Sequence, residues 1–269
     1  MKKAYFFKNK SKWLWITLGL VAILVRVLLS FSPELTERIY SRGIFLGIRY
    51  LLDYTLGRLP IPFVQVFLVG LFVFLTYKVR SLIRTHESFL SSLKRVSLGV
   101  VSFSFAVVFF FLVLWGYNYG RLPIENSMQL SPNPLTLNEL KAELEINTTE
   151  VVEARMSIPS ITDSAIQETF LPVDLENEVR QEIEKLLKKL DYPTVGTVRG
   201  RMLHPKGILL RFSTAGVYFP WTGESNIDAG LHPIQVPFTL AHEFAHGYGF
   251  TDEGTCNFLA YLACIQSDN

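Results

Sequence analysis

Near the C-terminus, His242-Glu243-Phe244-Ala245-His246 sets two imidazoles four residues apart with a carboxylate beside the first. On a helix, residues four apart stand one turn above each other, so both imidazoles can reach one zinc ion. Zinc held there acidifies water and polarises a scissile carbonyl. Glu243 is placed to act as general base, taking the proton and passing it to the leaving amine. The pattern H-E-x-x-H therefore points to hydrolysis of peptide bonds. A catalytic zinc keeps three protein ligands and one open position, so one ligand is still missing. Two acids follow at once. Asp252 completes the compact spacing H-E-x-x-H-x-x-G-x-x-D, whereas Glu253 would act from the first turn of a following helix. A third reading leaves both acids as complements of that helix's dipole.

Further polar residues are secondary candidates. Glu224, in a loop beside Gly223, is a candidate for holding substrate. Tyr248, in the turn after His246, is a candidate donor to an oxyanion. His204 and His232 each precede a proline and read as loop residues. The segment from Asp228 to Val236 is placed to pair with an extended peptide as an edge strand. Cys256 and Cys264 fall eight residues apart on one helix, about 12 Å, which is too far for a disulfide. They read as small buried apolar residues.

The elements that position these groups follow from local pattern. Pro237 suits the first turn of the motif helix, and Gly247 and Gly249 end it. A second helix starts after Thr251, as N-cap, and runs to about Gln266. Upstream, Asp174 to Leu190 is an amphipathic helix with Leu175, Val179, Ile183, Leu186, Leu187 and Leu190 inward. Short strands are expected at 208–212, 217–219 and 234–236, between Gly and Pro breakers. Thr136-Leu137-Asn138-Glu139 is a capping box, with Leu137, Leu140 and Leu144 on one face of the helix it opens. Residues 122–135, rich in proline, form a linker.

The first 121 residues are of another kind. The chain of 269 residues is 49% hydrophobic and 19% charged, with its apolar residues concentrated early. Residues 1–117 hold 15 Lys+Arg against 4 Asp+Glu, a balance of +11; residues 118–269 hold 11 against 20, a balance of −9. These sum to the formal charge of +2. Basic residues flanking apolar runs mark membrane segments, so the basic half argues for lipid and against nucleic acid. Three spans are expected, at 13–31, 62–77 and 96–117. Lys2, Lys3, Lys8, Lys10 and Lys12 precede the first, and Lys78, Arg80, Arg84, Lys94 and Arg95 lie between the second and third. Both groups belong on the cytoplasmic side, which leaves everything after Tyr117 extracytoplasmic. Between the first two spans, residues 34–57 read as an interfacial helix with Arg38, Arg42, Arg49 and Asp53 within about 60° of one another. It forms either a floor beneath the active site or a packed helix of the anchor.

Three stretches carry a family resemblance: Leu114 to Arg121, Gly216 to Glu224, and Asn257 to Cys264. They resemble those of an uncharacterised bacterial membrane-protein family, a domain of unknown function with spans first and a zinc-metallopeptidase-like helix afterwards. The resemblance covers nearly the whole chain. It implies an acid at Glu253, which favours Glu253 over Asp252 as third ligand. It also implies a Glu where this chain has Thr255, and a chain continuing past Asn269, so this one is expected to be a shortened member.

The sequence thus predicts an α+β protein in which a three-span helical anchor (1–121) and a linker precede a zincin-like domain (136–269). The expected function is a zinc-dependent peptidase of the bacterial inner membrane, with Zn2+ on His242, His246 and Glu253, Glu243 as base, and a peptide or protein as substrate. The alternative is a non-catalytic membrane scaffold or binding protein with a structural or decayed zinc site.

Overall fold

A computed structural model describes residues 2–84, 88–131, 133–158 and 165–267. Among the described residues, three helices are long and apolar enough to cross a membrane: α1 (Lys2–Leu29), α4 (Phe63–Ile83) and α5 (Phe89–Leu114), with apolar windows at Lys10–Leu29, Phe63–Ser81 and Leu90–Leu114. The second is longer than expected because the helix continues through Lys78 and Arg80. The third stops earlier, at Trp115, where the chain tightens into a 3-10 turn over Gly116–Gly120. α1 lies along α5. Gly19 permits the close approach, since a Cβ there would stand 2.6 Å from the Phe105 carbonyl oxygen.

Between the first two spans, α2 (Pro33–Leu35), a π-helical stretch (Thr36–Ile44) and α3 (Phe45–Thr55) form one amphipathic unit. Leu35, Ile39, Ile44 and Leu51 are exposed on one side. Glu37, Phe45, Arg49 and Asp53 are buried on the other against the polar half of the protein, and Tyr40 against the end of α5, where it donates to the Val113 carbonyl (2.8 Å). The wider π turns shift the helical phase, so Arg38 falls outside the polar stripe and is exposed, while Glu37 is buried and pairs with Arg42 and Arg121. Arg49 donates to the Tyr218 hydroxyl (3.1 Å) and the Gly223 carbonyl (2.8 Å) and pairs with Asp53. Asp53 also accepts from the Thr197 amide (2.9 Å). This unit is a floor for the polar domain.

The expected linker is partly docked. Arg121 donates to the Gly249 carbonyl, and α6 (Ile124–Met128) buries Ile124 in the main core. α7 (Leu137–Ser157) opens with the capping box of Thr136 and Glu139 but buries no residue, so Leu137, Leu140 and Leu144 are exposed. α8 (Leu175–Lys189) is amphipathic as read, burying Val179, Ile183, Leu186 and Leu187. Each contributes about 1.5–3 kcal/mol.

The sheet differs from expectation. β1 (Arg199–Leu203) runs parallel to β3 (Glu224–Asp228), and β2 (Gly216–Phe219) antiparallel to it, in the order β1-β3-β2. Residues 208–212 are instead turn and a 3-10 segment, and Pro233–Gln235 is a 3-10 turn leading into α9 (Val236–Gly247). β3 is the central strand, all five of its residues buried. The edge at the cleft is therefore β2, and the span from Asp228 to Val236 offers no edge strand. α9 crosses the sheet through Leu240, Phe244 and the Ser225 hydroxyl, which donates to the Glu243 carbonyl (2.7 Å). α10 (Glu253–Ile265) closes the core with Cys256, Leu259, Ala260 and Ala263. Both cysteines are free.

Candidate metal centre

α9 presents His242 and His246 one turn apart, and the turn at Gly249 (φ +90) brings α10 back across them. His242 Nε2 and His246 Nε2 stand 3.1 Å apart. Glu253 approaches them at 3.1 and 3.5 Å. Two ligands bound 2.0–2.1 Å from one tetrahedral ion lie roughly 3.3 Å apart, so the three distances suit a single zinc.

The outer ring nitrogens orient the imidazoles. His246 Nδ1 faces the Phe250 carbonyl oxygen (2.9 Å), which only accepts, so the proton sits on Nδ1. His242 Nδ1 faces Asn257 Oδ1 (2.9 Å) in the same sense. Burial lowers the pKa of His246, keeping it neutral. Both Nδ1–H groups are thus committed to acceptors, and the two Nε2 atoms and the Glu253 carboxylate converge on one point. Two imidazole nitrogens and a carboxylate form a donor set that fits zinc.

Asp252 is elsewhere. It caps α10, accepting from the Thr255 amide at 2.7 Å, the role expected of Thr251. Glu224 is buried in the sheet, held by Arg201 (3.0 Å) and the Phe63 amide (2.7 Å); it joins α4 to β3 and does not face the cleft. Tyr248 is buried and donates to Glu184 (2.7 Å), so it is no oxyanion donor. His204 and His232 lie away from the cluster, His232 capping the turn before α9.

Glu243 is buried, and its Oε2 has no partner among the described residues. Burial, with the charge of Glu253 behind it, pushes its pKa up to about 8, against a hydrogen bond from the Tyr218 amide. A cation at the cluster favours the ionised form again. Gly216 makes room for this carboxylate, because a Cβ there would lie 2.5 Å from Oε1.

These groups open into a cleft of about 630 Å3, lined by residues 214–221 around β2, by Glu243 and the cluster, and by Phe111, Trp115 and Tyr119 from α5 and its end. The Trp115 indole donates to the His246 carbonyl at 2.9 Å, beside the Gly249 amide that donates to the same oxygen at 3.0 Å. Burial and the charge of Glu253 raise the pKa of Tyr119, so it stays a phenol at neutral pH. Asn257, Trp115 and Tyr119 escaped the sequence reading as site residues. Asn257 alone had a local signal, standing four after Glu253 on the same helical face.

A family model described as a protein of unknown function, DUF3810, matches residues 40–269. The chain belongs to the DUF3810 family. The match takes in most of the floor, α4, α5 and the whole polar domain of this DUF3810 member, including every residue of the cluster. No curated protein and no solved structure matches it.

Proposed function

We propose that the protein is a membrane-bound zinc peptidase, with a zincin-like domain on the extracytoplasmic side of the bacterial inner membrane. One observation carries this reading: the convergence of His242 Nε2, His246 Nε2 and Glu253 beside the buried carboxyl group of Glu243, whose Oε2 has no partner among the described residues. A structural zinc site gives no reason to bury a carboxyl group with one oxygen unpartnered beside the ligands, so the scaffold reading leaves Glu243 unexplained.

The three cluster residues would hold zinc, which supplies a Lewis acid for the carbonyl and lowers the pKa of water. The chain's own residues do the rest. Glu243 takes the proton and returns it to the leaving amine. Asn257 and the Phe250 carbonyl fix the imidazole tautomers. Tyr119 is the phenol available to a developing oxyanion, and the free edge of β2 can align an extended peptide by main-chain hydrogen bonds.

The full-length chain in lipid vesicles should hydrolyse a mixed peptide library. Chelation should abolish cleavage and zinc restore it. Hydrolysis indifferent to chelation would remove the metal from the mechanism. Orientation follows from the Lys/Arg placement and has its own check. A reporter active only outside the cytoplasm should work when fused after Asn269 and be silent when fused between Lys78 and Arg95. The opposite signs overturn the proposed sidedness.

A further inference from the structure

The peptidase reading leaves open where the substrate comes from, and the walls of the cleft speak to that. Phe111, Trp115 and Tyr119 step by four along the end of α5 and turn their rings toward the cleft. Phe111 lies inside the apolar window that ends at Leu114, about 4.5 Å below its end. The cleft therefore reaches down to the level of the spans.

Its far wall is also tied to the membrane. Trp221 stands 6.3 Å from Phe67 of α4 and 6.0 Å from Phe111 of α5, ring to ring. Phe67 packs on Phe219 as well, at 5.3 Å. Trp221 thus bridges two spans at the mouth of the site. Below that bridge the spans part. α4 makes no extended packing with α1 or α5, and only 6% of its membrane window is buried. α1 and α5, by contrast, run together through Trp15, Phe109 and Phe110. α4 thus leaves nearly all of its apolar window uncovered by the described protein, next to the Trp221 bridge at the cleft.

Interfacial aromatic residues commonly anchor a span by facing lipid headgroups. Here they face the candidate metal centre instead. Trp115 bonds the backbone of a cluster histidine, so the end of the span is tied directly to the helix that carries the reactive groups. A fully soluble peptide has no use for a wall sunk among the spans.

We propose, resting on the peptidase reading, that the substrate is a membrane-anchored polypeptide, cut within a few residues of where its own apolar segment leaves the bilayer. The apolar segment occupies the space beside α4. The exit segment lies along the edge of β2, which sets the scissile carbonyl at His242, His246 and Glu253.

The test uses the zinc-loaded full-length chain in phospholipid vesicles and three probes sharing one randomised peptide. In the first, the peptide adjoins a leucine-rich transmembrane helix of about 20 residues. In the second, a Gly/Ser spacer of about 30 residues separates peptide from helix, keeping the local concentration high but the peptide away from the surface. In the third, the peptide is free. The first should be cut at least tenfold faster than the other two, at sites clustered beside the helix boundary. Equal rates for the first and second, or for the first and third, would overturn the substrate class while leaving the peptidase standing. No cleavage of any probe by the zinc-loaded chain would sink the peptidase reading, and this inference with it.

Discussion

Glu243→Gln should leave zinc in place and lower peptide hydrolysis by a factor on the order of 10² or more, the usual cost of losing general-base help. The change keeps size and shape, so the Tyr218 amide retains an oxygen acceptor and α9 is undisturbed. Neither cluster histidine hydrogen-bonds the Glu243 side chain, so metal affinity should change little. Hydrolysis that survived the substitution would mean that another group moves the proton. The same change should relieve the metal-free protein of a buried acid whose charging is disfavoured.

Arg49→Met should cost about 3–5 kcal/mol of stability, read as a lower unfolding midpoint in detergent. Arg49 is almost wholly buried, and its loss leaves the Asp53 carboxylate without its cation and the Tyr218 hydroxyl and Gly223 carbonyl without a donor. The pairing of charges accounts for most of that loss. A second substitution, Asp53→Asn, made in the Arg49→Met background, should therefore recover a large part of it. A midpoint unchanged by Arg49→Met would show that the floor does not hold the domain. Activity should fall with stability, because Tyr218 bonds Arg49 with its hydroxyl and Glu243 with its amide.

Much of this architecture could be read from residue order because helices announce themselves locally. The spans, the α8 stripe and the Thr136 capping box each follow from a period or a cap within one segment. The pair His242 and His246 is equally local. The strands were harder. β3 reads Glu-Ser-Asn-Ile-Asp, with no apolar alternation, yet it is the central strand. Three of its four polar side chains find a partner far along the chain: Arg201 for Glu224, the Glu243 carbonyl for Ser225, and the amides of Gly207, Leu209 and Leu210 for Asp228. No window of a few residues shows such pairing. Glu224 and Tyr248 were drawn toward the site by proximity in sequence, whereas long-range partners hold both elsewhere. Asp252 and Glu253 differ by one residue, and only the cap geometry separates their roles. The floor hid its phase, since the π-helical stretch rotates Glu37 inward and Arg38 outward.

The claim on which everything else depends is that His242, His246 and Glu253 hold zinc. Zinc titration of the purified full-length chain, run in parallel on Glu253→Ala and Asp252→Ala, tests it most directly. Full length matters because the floor and Trp115 support the centre. Binding of about one zinc per chain is expected, weakened on the order of 10²-fold by Glu253→Ala. Asp252→Ala should cost about 1 kcal/mol of helix stability and leave affinity nearly intact. A chain that binds no zinc, or one that loses it with Asp252 and keeps it without Glu253, would contradict the centre described here.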